Sequence, residues 1–307
     1  MILTKFSERK HVECFEITMN ISLIIPTLNA GKEIQTLIEL ILQQTIIPDE
    51  IIIIDSSSDD DTVEIFRSFK EVSLIEIKRK DFNHGGTRDM ALRCCRGEIV
   101  IFMTQDAVPA DNKLIENLLK PFADNTVACT TARQLPKDSA SPLERAIRDF
   151  NYPSSSFFRT KDDMSTYGIK TFFFSDVCAA YRRDIYLKLG GFERNIKTNE
   201  DMFYAAKVII NGYKTAYVSE AAVIHSHNLT IREQYRRNYL IGYELEKRKS
   251  LLYGAKVYGE GIKLVKNVIC NLYRQKHFLY IIYLLFDCGA RLLGNKMGKM
   301  SAIKQSF

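Results

Sequence analysis

The sequence lacks the cysteine patterns that mark disulfide-rich proteins and zinc or redox sites. Its 307 residues contain seven cysteines, an odd number at irregular spacings, and the two closest, Cys94 and Cys95, are adjacent rather than arranged as C-x-x-C. We therefore expect free, mostly buried thiols in a reducing cytoplasm. Zinc-finger spacing and an aromatic RNA-binding signature are also missing, so nucleic acid is not an expected partner.

Long hydrophobic runs are missing as well. The longest uninterrupted apolar run, Phe278 to Phe286, is far shorter than the roughly 20 residues that span a bilayer. Residues 1–20 carry charges throughout and have no apolar centre, so they do not resemble a signal peptide and are interpreted as a lead segment. We expect a soluble or membrane-associated protein rather than a transmembrane one.

Basic residues are concentrated at the end of the chain. The net charge is +6, yet residues 231–307 contain 15 Lys or Arg against 5 Asp or Glu, which leaves the preceding part slightly acidic. Tyrosines recur every fourth residue from Tyr235 to Tyr243, and a second apolar stripe with flanking lysines follows, which predicts helices. We predict a main domain at 21–230 and a basic, amphipathic helical extension at 231–307 that faces an anionic surface such as phospholipid.

Apolar runs followed by helical patterns recur through the first hundred residues. The runs ISLIIPT, EIIII, VSLIEI and GEIVIFM indicate strands. Strands that are apolar on both faces and separated by helices predict an α/β fold with a mainly parallel central sheet flanked by helices. Ligands of such sheets bind beyond the carboxyl ends of the strands, so polar residues there are expected to converge on one crevice. Those positions are Asn29, Asp55, the segment 80–88 and Asp106.

A single aspartate follows the strand GEIVIFM. Asp106 comes behind two uncharged polar residues, Thr104 and Gln105. A carboxylate fixed by the end of a rigid strand suits Mg²⁺ or Mn²⁺, which prefer oxygen ligands and can bind the oxygens of a nucleotide diphosphate. The alternative is a turn or helix-capping aspartate before Pro109.

Several ordered motifs together resemble the family 2 glycosyltransferases with the GT-A fold. They are ISLIIPTLNAGKEIQTLIELILQQT, EIIIIDSSSDDDT, HGGTRDMAL with GEIVIFMTQDA, and GGFERNIKTNEDMFYAAKVIINGYK, and they cover roughly residues 20 to 230. The segment TQD resembles the bacterial rhamnosyltransferase branch, in which it stands where most relatives have an aspartate-rich DxD motif. The resemblance implies a GT-A fold and transfer of a sugar from a nucleotide sugar.

The resemblance also implies a metal site. Thr104 takes the position of the first DxD aspartate, and Asp106 matches the last, which in the family binds the metal on the donor diphosphate. Because one carboxylate is lost, a second ligand is needed, and His227 in VIHSHN is the candidate by resemblance. An imidazole accepts Mn²⁺ more readily than Mg²⁺. His225 lies on the same face if this stretch is extended; the alternative for both histidines is a structural role.

Donor-binding residues follow from the same comparison. In the family, an aspartate in the position of Asp55 accepts hydrogen bonds from the base of the nucleotide, and the neighbouring loop lines the base and ribose. NHGGTR offers two glycines and an arginine at the head of a helix, which suits a loop that faces a diphosphate. A turn with an arginine in solvent is the alternative. The predicted donor-binding residues are Pro26, Thr27, Asn29, Asp55, Ser57, His84, Gly85, Gly86, Arg88, Thr104 and Gln105.

Catalysis with inversion at the anomeric carbon needs a base for the acceptor hydroxyl. NED opens a predicted helix and matches the family's ED motif, which implies that Asp201 is the base and that Glu200 supports it or contacts the acceptor. The alternative is that both carboxylates only cap the helix. Ser175 and Asp176 resemble the segment that frames the acceptor pocket, although Asp176 could instead be a buried structural carboxylate.

These features predict a bacterial, cytoplasmic enzyme that is peripheral on the inner membrane. We expect it to move L-rhamnose from dTDP-L-rhamnose, with inversion, to a growing lipid-linked surface polysaccharide such as O-antigen, capsule or cell-wall glycan. The alternatives are a UDP-sugar donor or a catalytically silent subunit that only binds nucleotide sugar. The basic helices are expected on the membrane surface, or packed on the domain or on a second copy in a homodimer.

Overall fold

Nine strands form one sheet in the part of the chain that the computed structural model describes, which is residues 19–305 apart from 32, 194, 253 and 257–259. Most of the predicted lead segment and Cys14 lie outside the described residues. The strands are β1 (Ile21–Thr27), β2 (Glu50–Asp55), β3 (Val72–Glu76), β4 (Ile99–Met103), β5 (Val108–Pro109), β6 (Val127–Leu135), β7 (Phe157–Arg159), β8 (Cys178–Arg182) and β9 (Lys214–Ile224).

The sheet has a parallel half and a mixed half. Its strand order is β3-β2-β1-β4-β8-β6-β9-β5, with β7 also paired to β9. The pairs β3-β2, β2-β1 and β1-β4 are parallel, as predicted. Strand β8 runs antiparallel to both β4 and β6, whereas β6 and β9 are parallel. The predicted α/β fold with flanking helices is confirmed, and the sheet is parallel in the half whose strands the apolar runs predicted.

Helices cover both faces of this sheet. They are α1 (Glu33–Leu42), α2 (Thr62–Arg67), α3 (His84–Cys94), α4 (Leu114–Leu119), α5 (Pro142–Asn151), α6 (Met164–Tyr167), α7 (Arg183–Lys188), α8 (Glu200–Ile210), α9 (Ile231–Lys247), α10 (Glu260–Arg274) and α11 (Phe278–Lys304). Alternate residues of β1 show why its sequence is apolar throughout. Leu23 packs in a core with Ile34 of α1, and Ile24 packs on the opposite face with Leu92 of α3. A strand buried on both faces needs apolar side chains on both.

The segment NHGGTR forms the start of a helix rather than a loop. Asn83 caps α3, and its side chain accepts a hydrogen bond from the Gly86 backbone N–H at 2.8 Å. Gly85 lies against α8, where an added Cβ would sit 3.3 Å from the Glu200 Cβ. Gly85 therefore allows α3 to approach α8 closely, a role that the sequence pattern alone did not distinguish from that of a diphosphate-binding loop.

The cysteines are only partly as expected. Those described are free thiols, and Cys95, Cys129 and Cys178 are buried. The expectation of burial is wrong for Cys94 and Cys270, which are exposed because they lie on the outer faces of α3 and α10.

The basic extension packs on the main domain. Thr230 caps α9 in a reciprocal arrangement with Glu233, so the helix begins directly after the segment that carries His227. Val268 and Leu272 of α10 are fully buried in a cluster that also contains residues of α5. The extension and the domain thus share a hydrophobic core.

Helices α9 and α11 pack backbone to backbone. Gly294, Gly298 and Ala302 recur every four residues on one buried face of α11. A methyl group added to Gly298 would overlap the carbonyl oxygen of Tyr239 on α9, and one added to Gly294 would overlap that of Tyr235. Small residues at this spacing let two helices approach closely.

The opposite face of α11 is exposed and apolar. Leu279 is 80% exposed and Leu292 is 74% exposed, and further large apolar side chains share this exposure: Ile282, Leu285, Phe286 and Leu293. By length and composition α11 could cross a membrane, although 22% of its most apolar window is buried. The length of the uninterrupted apolar run underestimated the length of this apolar helix, because Asp287 and Arg291 interrupt the run without ending the helix.

Two glycine-to-alanine substitutions on α11 test the packing of α9 against α11. Gly298→Ala should lower the free energy of unfolding by about 1–3 kcal/mol, because the methyl group collides with the α9 backbone. Gly289→Ala is the matched control, since an added Cβ there meets nothing within 4 Å, and it should raise stability by up to about 1 kcal/mol. Urea unfolding measures both, and equal effects would contradict this packing.

Candidate active site

Strand pairing positions Asp106. Met103 ends the buried strand β4, and a turn follows in which the Ala107 N–H donates to the Thr104 carbonyl at 3.1 Å. Val108 of β5 then pairs with Ile224, the last residue of β9. Because β5 and β9 are antiparallel, Asp106 lies beside the residues that follow Ile224. The register therefore brings the aspartate to the two histidines of VIHSHN.

Asp106, His225 and His227 form one group of potential metal ligands. The Nε2 atoms of His225 and His227 lie 3.4 Å and 3.2 Å from the Asp106 Oδ2 atom, and 3.0 Å from each other. One ligand atom from each residue fits within 4.8 Å of the others. The sequence prediction of Asp106 and His227 as ligands is consistent with this geometry, and the structure adds His225.

The electrostatics of this group suit a divalent cation. Burial raises the pKa of the Asp106 carboxyl, but the contacts with His225 and His227 outweigh it and hold that pKa well below its usual range. Burial lowers the pKa of His225, which favours a neutral imidazole whose Nδ1–H donates to the Gln134 Oε1 atom and whose Nε2 lone pair faces Asp106. An ionised carboxylate and neutral imidazoles are the protonation states in which these groups bind metals.

Gln134 connects the metal-ligand group to the rest of the site. Its Oε1 atom lies 3.0 Å from the His225 Nδ1 atom and also accepts a hydrogen bond from Arg148. Its Nε2 atom donates to the Ser175 hydroxyl at 2.9 Å. Gln134 thus fixes the orientation of His225 and ties it to the segment predicted to frame the acceptor. Partners of this kind orient metal-binding histidines.

Asp201 lies in the first turn of α8. Its Oδ2 atom accepts a hydrogen bond from the Asp176 backbone N–H at 3.1 Å, and its Oδ1 atom accepts one from the Met202 N–H at 2.7 Å. Burial, followed by the negative charge of Glu200, raises the pKa of Asp201 to about 7. A carboxylate with such a pKa can take up a proton near neutral pH, as a general base must.

Arg88 holds the carboxylates behind Asp201. Its guanidinium is buried and lies 3.4 Å from the Glu200 Oε1 atom and 3.9 Å from the Asp176 Oδ2 atom. Asp176 is also buried, accepts a hydrogen bond from Tyr181, and has its pKa raised by burial and by Asp201. The structure therefore places Arg88 with the predicted base rather than with the predicted metal ligands, and Asp176 has the surroundings of a structural carboxylate.

Some of the predicted donor-binding residues line an open cavity, and others are buried behind it. Asn29 and Gln105 line one open cavity, and Gln105 bonds to both backbone groups of Leu28. Asp55 is fully buried, and its carboxylate accepts hydrogen bonds from Thr27 at 3.1 Å and from the hydroxyl of Ser58 at 2.6 Å. In this arrangement Asp55 supports the wall of the cavity instead of facing it.

The other donor candidates are spread more widely. Pro26 is buried in β1, whereas Ser57 is exposed and donates a hydrogen bond to the Ile77 carbonyl at 2.8 Å. His84 is exposed on the first turn of α3, where its ring contacts Phe82 edge to face. Of the four positions expected to converge on one crevice, Asn29 lines this cavity and Asp55 is buried behind it. The segment 80–88 turns towards α8, and Asp106 lies beside the histidines that follow β9.

Two neighbouring cavities join the predicted base to the metal-ligand group. A cavity of about 440 Å³ is lined by Asp201 and Ser175. A second cavity of about 190 Å³ is lined by His227. Both are also lined by Tyr152 and Arg237, so they adjoin. Asp106 and Asp201 thus lie in one region of the molecule, connected through His225, Gln134 and Ser175.

Sequence reasoning missed several residues of this region. The sequence indicated that His225 shares a strand face with His227, but His225 was not named as a metal ligand. That shared face was sufficient reason to name it. Gln134 and Arg237 carried no signal, because an amide in a strand and an arginine in a basic helix are common. Their positions follow from the β6–β9 register and from the start of α9.

Comparison with known proteins identifies the family. Residues 22–190 match the family model described as Glycosyl transferase family 2. The chain is 43% identical to the O-antigen chain rhamnosyltransferase RfbN of Salmonella typhimurium over 92% of this chain and 90% of that protein. It is 40% identical to the O-antigen chain rhamnosyltransferase WbaN of Salmonella anatum over 91% of this chain and 89% of that protein.

Solved structures share the fold. The mannosyltransferase PcManGT of Pyrobaculum calidifontis, determined with GDP-Man and Mn²⁺, has a TM-score of 0.60 at 21% identity, over 94% of this chain and 84% of that chain. Residues 1–349 of TarS from S. aureus have a TM-score of 0.52 at 16% identity, over 94% of this chain and 92% of that chain. Sequence and fold agree, and the chain belongs to glycosyl transferase family 2 and is a glycosyltransferase.

Proposed function

We propose that the enzyme transfers L-rhamnose from dTDP-L-rhamnose, with inversion, to a lipid-linked surface polysaccharide such as O-antigen. The proposal rests mainly on the similarity to two O-antigen rhamnosyltransferases, which are 43% and 40% identical to this chain over more than nine tenths of its length. The proximity of the Asp106 group to Asp201 supports it, because transfer needs one group at the leaving diphosphate and another at the incoming hydroxyl.

The metal-ligand group fits Mn²⁺ better than Mg²⁺. Asp106 supplies an oxygen, and His225 and His227 supply nitrogens within 4.8 Å. Mg²⁺ prefers oxygen ligands, whereas imidazole suits softer divalent ions. A cation held by these residues would neutralise negative charge on the departing nucleotide diphosphate. The two histidines replace the carboxylate that is lost at Thr104, which weakens the alternative of a catalytically silent subunit.

The base side of the reaction is assigned to Asp201. Its carboxylate borders the cavity of about 440 Å³, which has room for a sugar ring of the acceptor. Burial and the negative charge of Glu200 raise the pKa of Asp201, and the positive charge of Arg88 limits that effect. Arg88 is therefore assigned to positioning the base, rather than to the donor diphosphate for which the sequence suggested it.

The donor base and ribose are assigned to the cavity lined by Asn29 and Gln105. Ser57 is exposed at the rim of the same strand ends, while Pro26, Thr27 and Asp55 form the buried wall. These residues suit a nucleoside but do not separate thymidine from uridine. Titration calorimetry with dTDP and UDP in the presence of Mn²⁺ tests the donor, and a clear preference for UDP would contradict dTDP-rhamnose.

The exposed face of α11 is assigned to the inner-membrane surface. Its large apolar side chains suit a helix that lies in the membrane interface, and the net positive charge of residues 231–307 suits an anionic bilayer. This location brings the enzyme to an acceptor whose lipid stays in the membrane. A second copy of the chain is the other partner that this face could take.

Substitution of a ligand tests the metal assignment. Asp106→Asn should weaken Mn²⁺ binding in the presence of dTDP by more than about tenfold, because the amide removes the anionic ligand. His277→Ala is the control, since His277 lies at the start of α11 and is not one of the grouped ligands. Electron paramagnetic resonance of free Mn²⁺ measures both, and wild-type affinity in Asp106→Asn would refute the site.

Replacement of the base separates catalysis from binding. Asp201→Asn should lower the transfer rate about 10²- to 10⁴-fold, because the amide cannot accept the hydroxyl proton. Its affinity for dTDP with Mn²⁺ should stay within about twofold of wild type, since the lost charge does not contact the donor. The exposed Asp184 provides the control variant Asp184→Asn. Retention of full transfer by Asp201→Asn would exclude it as the base.

The pH profile tests the role of Glu200. Asp201 acts when ionised, so kcat/KM should fall as the pH decreases through about 7. Glu200→Gln removes a negative charge that raises this pKa, and the acidic limb should move to lower pH. Glu246→Gln, on α9, serves as the control. If the acidic limb of the kcat/KM profile stays at the same pH in Glu200→Gln, the group that titrates is not an Asp201 whose pKa is raised by Glu200.

A further inference from the structure

Three arginines from different helices line one small cavity. Arg148 of α5, Arg237 of α9 and Arg291 of α11 surround a space of about 190 Å³ together with His227. Helix α5 belongs to the main domain, whereas α9 and α11 belong to the extension, so the cavity forms only where the two pack together. The metal and base assignments use neither Arg237 nor Arg291, and Arg148 enters them only through its hydrogen bond to Gln134.

The charges in this cavity are not balanced. Arg148 pairs with Glu144, and Arg291 pairs with Asp287 at 2.6 Å. Among the residues that the structure describes, Arg237 has neither a hydrogen bond nor an ion pair. The Arg237 side chain stays partly open to solvent, while desolvation, followed by the positive charges of Arg291 and Arg148, lowers its pKa. One positive charge in excess thus lines the cavity, and Arg237 is open to an anionic ligand.

The position of this cavity suggests which anion. On one side it adjoins the cavity of Asp201, since both are lined by Tyr152 and Arg237. On the other side it shares Glu144 and His227 with a third cavity, of about 220 Å³, which is also lined by Tyr283 of α11. The three cavities therefore form a series. It begins at the predicted base Asp201, passes the three arginines and ends at α11, the helix with the exposed apolar face.

We propose that Arg148, Arg237 and Arg291 bind the diphosphate of a lipid-linked acceptor. The inference rests on the proposed function. In such an acceptor the sugar is attached to a diphosphate, which is attached to an isoprenoid, and this order matches the three neighbouring regions. Guanidinium groups bind phosphate oxygens with two parallel hydrogen bonds, which favours arginine at such sites. The lipid would continue towards the apolar face of α11.

The departing nucleotide carries the same chemical group, so the test must separate two diphosphates. The nucleoside is assigned to Asn29 and Gln105, at the ends of β1 and β4. Arg291 lies on α11 and lines the arginine cavity, which shares no residue with the cavity of Asn29 and Gln105. Arg291 is therefore the informative position, whereas Arg148 also bonds to Gln134 and would disturb His225.

Binding of farnesyl diphosphate in detergent micelles tests the site without turnover. The wild type should bind farnesyl diphosphate at least about tenfold more tightly than farnesol, and Arg291→Gln should reduce this affinity about tenfold, because a charge-assisted hydrogen bond is lost. The affinity for dTDP with Mn²⁺ should not change. Lys296→Gln is the matched control, since it removes one exposed positive charge from the same helix outside the cavity.

A second variant guards against misfolding. Arg291→Gln leaves the buried Asp287 without its cation, so the pair Asp287→Asn with Arg291→Gln replaces both charges with neutral hydrogen-bonding groups. Its affinity for farnesyl diphosphate should fall as in the single variant, while circular dichroism stays that of the wild type. Retained affinity in this folded double variant would overturn the proposal.

The remaining outcomes are also distinct. If Arg291→Gln weakens dTDP binding as much as farnesyl diphosphate binding, the arginines serve the donor and the proposal is wrong. Equal losses in Arg291→Gln and Lys296→Gln would show attraction to the micelle surface alone, which also overturns it. Selective binding of farnesyl diphosphate without rhamnosyl transfer by the wild type would support the diphosphate site and contradict the proposed function instead.

Discussion

The pairing of the two-residue strand β5 with the end of β9 is the constraint on which the candidate site depends. Val108 and Pro109 pair with Ile224 and Val223, and this register places Asp106 beside the two histidines that follow β9. Strand β6 holds β9 from its other side and contributes the amide that orients one of these histidines. A shift of one residue in either pairing would turn alternate side chains to the other face. The geometry of the ligands is thus a property of the sheet.

Opposite electrostatic surroundings give the two central aspartates different properties. Contacts with the two histidines keep Asp106 ionised despite burial. Asp201 lies among other carboxylates, and burial with the charge of Glu200 brings its pKa to about 7. The first arrangement favours cation binding, and the second favours proton transfer. Carboxyl groups whose surroundings separate their pKa values in this way commonly have different roles in one reaction.

Much of the fold could be predicted because its strands are apolar on both faces, a pattern that a buried parallel sheet requires. The catalytic and metal candidates lay in motifs, so Asp106 and Asp201 were accessible from the sequence. Arg88 was expected at the donor diphosphate but lies beside Glu200 and Asp176, because the pattern NHGGTR does not reveal which way a helix turns its first residues. Gln134 and Arg291 could not be found, since their positions depend on long-range register and on the packing of α11. Helix α11 itself was underestimated because the sequence-based test counted only uninterrupted apolar residues.

The glycine contacts between α9 and α11 have a mechanical consequence. Helix α9 begins at Ile231, shortly after the candidate ligand His227, and its backbone at Tyr235 and Tyr239 touches α11 without intervening side chains. Such an interface leaves little freedom for hinge motion between the outer helix and the cleft. A bilayer that holds the outer face of α11 would therefore fix the height of the cleft above the lipid headgroups.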